Sequence, residues 1–209
     1  MEKILNIENW KRREHFEFYS EYDEPFWGIV SEVDVTRAYK RVKENNYSFF
    51  LYYLHKSIFA VNQIDELKLR IRDNQVVLFD KIHPASTIGR VDETFGYSFI
   101  EFDKNYDKFT KTAKTEIERI NNTSGLSLNE NSMRLDVIHY STLPWIKFSG
   151  LTHARNFKYK DSIPKIVFGK AFPDGDKILM NVSLNAHHGL ADGLHGARYF
   201  ELFQKLLKE

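Results

Sequence analysis

The turn PDGDK at residues 173–177 constrains this chain more than any other stretch, because it joins two strand-like runs, PKIVFGKAF and KILMNVSLNA. The second run alternates apolar with polar residues, and a period of two sends successive side chains to opposite faces of a sheet. It leads directly into AHHGLADGLHG, so His187, His188, Asp192 and His195 fall in one short span beside Gly189 and Gly193. GLHGARYFELFQKLLKE then closes the chain as a predicted helix, with Leu194, Tyr199 or Ala197, Leu202, Phe203 and Leu206 expected on its inner side.

Elsewhere the same periodicities predict further elements. DVTRAYKRVKENNY, residues 34–47, reads as a helix capped by Asp34 or Thr36. FFLYYLHKSIFAVNQI, residues 49–64, reads as a helix buried on most sides. DELKLRIRD sets Leu67, Leu69 and Ile71 against Lys68, Arg70 and Arg72 at strand period, and Asp73-Asn74 turns the chain into QVVLFD as a hairpin. SFIEFD is read as a strand, residues 107–122 as an amphipathic helix, TSGLSLNENS as a loop, and RLDVIHYSTLPWIKFSG as strand-like. No internal repeat, low-complexity tract or long linker divides residues 1–209, so one mixed α/β domain is expected.

Composition narrows the function. With 42% hydrophobic residues among 209 the chain can bury a sizeable core. The lack of cysteine excludes disulfides, a thiol nucleophile and thiolate metal ligation, and fits a reducing compartment. No apolar stretch approaches the roughly 20 residues of a membrane span and the start lacks a signal-peptide core, so a soluble, cytoplasmic protein is expected. Thirty basic against 29 acidic side chains leave no global field for nucleic acid. An aromatic share of 15% is mostly core, with Trp145 after Pro144 read as core too; some rings are expected to line a pocket or a subunit contact.

The histidine cluster admits three readings. As a zinc site it offers acceptable ligand types, but adjacent strand histidines point to opposite faces, so no metal is expected. As ordinary structure, the histidines are polar residues at a strand end and Asp192 caps the last helix. As an acyl-transfer site, a strand ending in histidine and turning through glycine holds an imidazole at a cleft. It takes the proton of a bound hydroxyl, its tautomer fixed by a carboxylate or carbonyl, while the glycines admit a cofactor or a neighbouring chain.

AHHGLADG fits the HHxxxDG signature of the chloramphenicol acetyltransferase family. NWKRREHFEFY at 9–19, the DVT helix start, VNQIDELKLRIRD, LPWIKF and the GK of VFGKAF recur in the order of the small trimeric enzymes, so the whole chain resembles that family. The resemblance implies a two-layer fold with a mixed β-sheet covered by helices, assembled as a homotrimer with active sites at subunit interfaces. It implies acetyl-CoA as cosubstrate with no permanently bound cofactor, and a small hydroxyl-bearing acceptor. His188 would be the general base, and Asp192 would pair with Arg12 as structural support. Strand alternation turns His187 away from the base position, packing or a hydrogen bond accounts for His195, His15 carries only a weak claim, and Lys170 is read either as a neighbour of the CoA phosphates or as a solvated lysine.

The chain departs from the family pattern at the acceptor site. The family's oxyanion serine falls on Gly150, with Ser149 one residue early as the candidate donor. The family's threonine near the intermediate falls on Val167, its pocket phenylalanine on Gly89, and a small apolar position on Asp23, while Phe18 and Tyr19 are kept. These changes predict a wider, more polar acceptor pocket, poorly matched to chloramphenicol. The alternatives are a noncatalytic trimeric relative that binds CoA or a small molecule, or an acyltransferase with another acceptor or carrier.

Overall fold

The computed structural model describes residues 2–209. Its main sheet has six strands in the order β2-β9-β8-β7-β5-β6. Strand β9 (Lys177–His187) lies between β2 (Phe26–Asp34) and β8 (Lys165–Asp174), antiparallel to both. Beyond β8, strand β7 (Val137–Thr142) runs parallel to β8 and to β5 (His83–Gly89), and β6 (Phe95–Tyr97) closes the edge. The PDGDK turn is made as expected, with Gly175 at φ 58°, a conformation other residues rarely adopt.

Alternation along β9 splits the sheet into two unlike faces. Met180, Val182, Leu184 and Ala186, with Ile166 and Phe168 of β8 and Ile138 and Tyr140 of β7, are buried in the main core. That face is covered by α2 (Thr36–Glu44), α3 (Phe49–Val61), α5 (Tyr106–Asn121) and α6 (Gly193–Lys208). Ser48 and Asn105 cap α3 and α5 through their side-chain oxygens. Nine of the 13 residues of α3 are buried, which is why its apolar run shows so little polarity. The other face carries the rows Asn185–Lys165–His139 and Ser183–Val167–Ser141. It is polar and small-residued, so it does not form a second core.

A smaller sheet, in the order β1-β4-β3, packs beside α1 (Arg13–Ser20). Its strands are β1 (Glu2–Ile4), β3 (Leu69–Arg72) and β4 (Gln75–Phe79), the last two forming the expected hairpin with Asp73 and Asn74 both at positive φ. Among the described residues no helix is long and apolar enough to cross a membrane.

Several expectations are corrected. Residues 65–68 form a helical turn, α4 (Asp65–Lys68), so Leu67 is buried from a helix and β3 begins only at Leu69. Arg70, expected to face solvent, is wholly buried. It donates to the carbonyls of Leu67 (3.0 Å), Leu69 (2.6 Å), Leu135 (2.8 Å) and Val137. Alternation fails there because this guanidinium is drawn inward to donate to four main-chain carbonyls at once. SFIEFD runs beside β5 without joining it as a strand. Ser98 and Ile100 donate to Ser86 and Pro84, but Pro84 has no N–H to return and the Ser86 N–H goes to the Ser98 hydroxyl. LPWIKFSG leaves the sheet after Thr142, and Trp145 is 79% exposed rather than core. In α6, Leu194 is exposed while His195 and Gly196 are buried. At the start of α2, Val35 holds the N-cap position, and Asp34 instead accepts from the Thr36 N–H and hydroxyl.

Replacing Arg70 by Leu strands several carbonyls that share one donor group, and is expected to lower unfolding free energy by about 3 kcal/mol or more. Urea unfolding measures this; a loss below about 1 kcal/mol would show that the carbonyls find other partners.

Candidate active site

The segment after β9 is held by hydrogen bonds to several other parts of the chain. The His188 N–H donates to the Pro25 carbonyl at 2.8 Å, and the Leu190 and Ala191 N–H groups both donate to the His187 carbonyl at 3.0 Å. Trp27 Nε1 of β2 donates to the Ala191 carbonyl at 2.8 Å. Arg12, at the start of α1, spans the loop: one guanidinium nitrogen donates to the His188 carbonyl at 3.0 Å and another to Asp192 Oδ2 at 2.5 Å. Asp192 also caps α6 by accepting from Leu194 N–H, and His195 Nδ1 accepts from the Asp192 N–H, completing a reciprocal cap. The two roles weighed for Asp192, helix cap and partner of Arg12, are held together.

The two adjacent histidines differ sharply. His187 is buried, its Nδ1 accepts from Gly189 N–H at 3.1 Å, and burial followed by the field of Arg155 pushes its pKa down to about 4. It is a neutral structural imidazole. His188 lies flat on Tyr19 of α1, with centroids 4.2 Å apart and planes 4° apart, and Trp27 stands 6.0 Å away. Its Nδ1 is enclosed without a hydrogen-bond partner, so Nε2 is the nitrogen open to a ligand. The expected carboxylate or carbonyl partner of the ring is absent, and stacking on Tyr19 holds the plane of the imidazole. Gly189 does not leave room for a cofactor: a Cβ there would sit 3.1 Å from both Phe16 and the His187 ring, so its space belongs to the chain's own α1. His195 faces Glu66 through Nε2 at 3.3 Å and serves the cap, and His15 is exposed.

A cavity of about 670 Å³ opens on the polar face of the sheet. Gly89 and Val167 line it, as do Thr87, Ser141, His139 and Lys165. His188 is not among its lining residues. Phe18 and Tyr22 gather their rings against Tyr19, each 5.2 Å away, and Asp23 is exposed on the connection from α1 to β2. The single chain thus holds an imidazole with its aromatic shelf and a lined cavity that does not include it.

Residues 2–204 match the family of chloramphenicol acetyltransferases. The chain belongs to the chloramphenicol acetyltransferase family. It is 29% identical over 204 residues to chloramphenicol acetyltransferase 3 of Escherichia coli, covering 97% of this chain and 95% of that one. A solved chloramphenicol acetyltransferase superposes with a TM-score of 0.93 at 29% identity over the whole of both chains. A probable dihydrolipoamide acetyltransferase of Listeria monocytogenes, at 13% identity, shares the fold with a TM-score of 0.67 over 93% of this chain and 88% of its own.

Against the family pattern, Ser149 and Gly150 both lie on an exposed, irregular stretch. A one-residue offset on a strand would turn Ser149 to the opposite face from position 150, but no strand exists there. A Cβ at Gly150 would meet nothing within 4 Å. Lys170 is exposed, its N–H donating to the Ile146 carbonyl at 3.0 Å. His139, His153, Asp161 and Lys165 all line the cavity, although no sequence motif singles them out. A signal was present: Lys165 stands two residues before Val167 and so must share its face.

Burial raises the Asp192 carboxyl pKa, but the Arg12 hydrogen bond and the charges of His195 and Arg12 outweigh it, so the net shift is downward. A depressed folded-state pKa stabilises above the unfolded value and is lost as pH falls through the folded one. Thermal unfolding of the native protein and of Asp192→Asn should therefore differ by a constant amount from neutral pH to about pH 5. The gap should close as pH drops below the ordinary 3.8. A gap that persists in acid would mean that the ion pair contributes nothing to it.

Proposed function

We propose that this protein is an acetyl-CoA-dependent O-acyltransferase in which His188 is the general base. The observation that carries the reading is the state of that imidazole: one nitrogen enclosed, the other open, on a loop fixed by Arg12. His188 Nε2 takes the proton of an acceptor hydroxyl as its oxygen attacks the thioester carbonyl. The C–S bond then breaks, the sulfur receives the proton from the imidazolium, and the products are an acyl ester and free CoA. Acetyl-CoA is cosubstrate, with no permanently bound cofactor and no metal. Arg12 and Asp192 touch neither substrate; they are positioning residues that hold the His188 backbone.

The working unit is a homotrimer in the cytoplasm, in which His188 of one subunit meets the cavity of the next. The absence of His188 from its own chain's cavity supports this, as do the exposed rings of Phe95, Tyr97 and Trp145 around that cavity. Phe18, Tyr19 and Asp23 flank the base, Gly89 and Val167 form the acceptor wall, and Lys170 is the cation nearest in role to the CoA phosphates. Chloramphenicol, which the relatives are named for acetylating, is a candidate acceptor but a poor one. The single domain of residues 1–209 carries all of these parts.

A second reading, a trimeric relative that binds without chemistry, is favoured by the missing side chain at Gly150. The two separate experimentally. His188→Ala should lower acceptor-dependent thiol release from acetyl-CoA by roughly 100-fold or more. Full activity in that variant would exclude the mechanism. Gly150→Ser enters open space, and as a restored oxyanion donor it should raise turnover by about 10-fold or more without loss of stability. No gain would mean that Ser149 or a backbone N–H already serves the oxyanion.

A further inference from the structure

The floor of the cavity is built from groups that accept and donate hydrogen bonds while carrying no net charge. Lys165 Nζ lies 2.5 Å from Asp161 Oδ2 and 3.2 Å from the Ile163 carbonyl, which uses two of its three protons and leaves one. Arg155 lies 3.4 Å from Glu24 and 3.9 Å from Asp161, and its guanidinium covers the Phe26 ring at 3.4 Å. Arg155 and Glu24 stand outside the cavity lining, so the charged pair of the floor is Lys165 with Asp161, and the exposed Glu93 carboxylate also lines the cavity.

The imidazoles add polarity without charge. His139 is exposed to the cavity, yet the surrounding walls, then the field of Lys165, push its pKa down to about 4, and burial lowers that of His153. His153 Nε2 bonds Asn185 Oδ1 at 3.0 Å, and Thr87 donates to Ser141 at 3.1 Å. The His139 ring sits in the cavity wall in the Lys165 register row, with one donor and one acceptor nitrogen to offer a ligand.

Around this floor stand flat apolar surfaces. Phe95 and Tyr97 are each 43% exposed, and with Trp145 they contribute ring faces to the cavity. Its volume of about 670 Å³ lies within the range of small-molecule sites, about 300–1,000 Å³. An ion of either sign would leave a charge unpaired on this balanced floor, and a bare aromatic ring would leave donors and acceptors unsatisfied. A neutral ring with apolar faces and hydroxyls around its edge satisfies both surfaces.

We propose that this cavity selects an uncharged, hydroxyl-rich ring of the pyranoside class as the acceptor, with His139 and the Lys165–Asp161 pair as specificity-determining residues that disfavour chloramphenicol. The inference rests on the acyl-transfer reading for the word acceptor, but its binding content does not.

The test is calorimetric binding to the full-length protein, with chloramphenicol and a set of methyl pyranosides differing in hydroxyl configuration. The variants are His139→Leu and the paired change Lys165→Ile with Asp161→Asn, which removes both charges together; thermal unfolding verifies that each folds. His139→Leu alters a cavity-facing side chain only, so it keeps the test open if the paired variant is unstable. At least one pyranoside should bind the native protein and weaken about 10-fold or more in the variants, whereas chloramphenicol should tighten about 10-fold or more. Failure of every pyranoside to bind, or chloramphenicol binding the native protein as tightly as the variants, overturns the proposal. A protein that binds pyranosides yet releases no thiol from acetyl-CoA defeats the acyl-transfer reading instead. One that acetylates chloramphenicol while ignoring pyranosides defeats this inference alone.

Discussion

Strand β9 is hydrogen-bonded on both sides along most of its length, and that pairing governs the rest of the molecule. A register slip of one residue would turn Val182, Leu184 and Ala186 away from the helices and put Asn181, Ser183 and Asn185 into the core. The burial of the first set therefore fixes where the strand ends, and with it the height at which His187 and His188 emerge. Two sequential imidazoles then acquire opposite fates. His187 continues the polar face and is sealed beneath its own turn, while His188 lies on Tyr19 with one nitrogen outward.

The second requirement is that the loop beyond β9 hold its shape without regular structure. Arg12 meets it from 180 residues away in sequence, reaching the His188 carbonyl and the Asp192 carboxylate together. Asp192 hands the constraint on to α6 through the N-cap, and α6 is anchored in the core by Tyr199 and Phe203. Ser57 of α3 ties that helix back to the sheet, its hydroxyl lying 2.7 Å from Tyr199 and 2.9 Å from Tyr140. The position of the imidazole thus depends on contacts spread over the whole chain, so substitutions far from His188 are able to mimic loss of a chemical group.

Much of this was legible in the residues. The β8–β9 hairpin, the buried α3, the β3–β4 hairpin and the final helix follow from periodicity and turn chemistry, and the HHxxxDG signature named the family. What escaped has identifiable causes. Arg70 reads as the polar half of an alternating strand because sequence does not reveal that the carbonyls of Leu67 and Leu69 and those of the distant Leu135 and Val137 share one donor group. SFIEFD has strand composition, but Pro84 opposite it withholds the returning hydrogen bond. The polar lining of the cavity escaped because Lys165 and His139 come from separate strands, and only the β7–β8 register puts them side by side.

In the proposed mechanism the reacting site is made by two copies of the chain, one supplying His188 and the other the cavity. Active-site complementation tests it most directly: His188→Ala is co-expressed with a variant whose cavity is filled by Ser141→Trp, each inactive alone. Thiol release reappearing in the mixed oligomers is the predicted result, because some interfaces then pair an intact His188 with an open cavity. Mixed oligomers that form but stay as inactive as their parents would contradict the shared site.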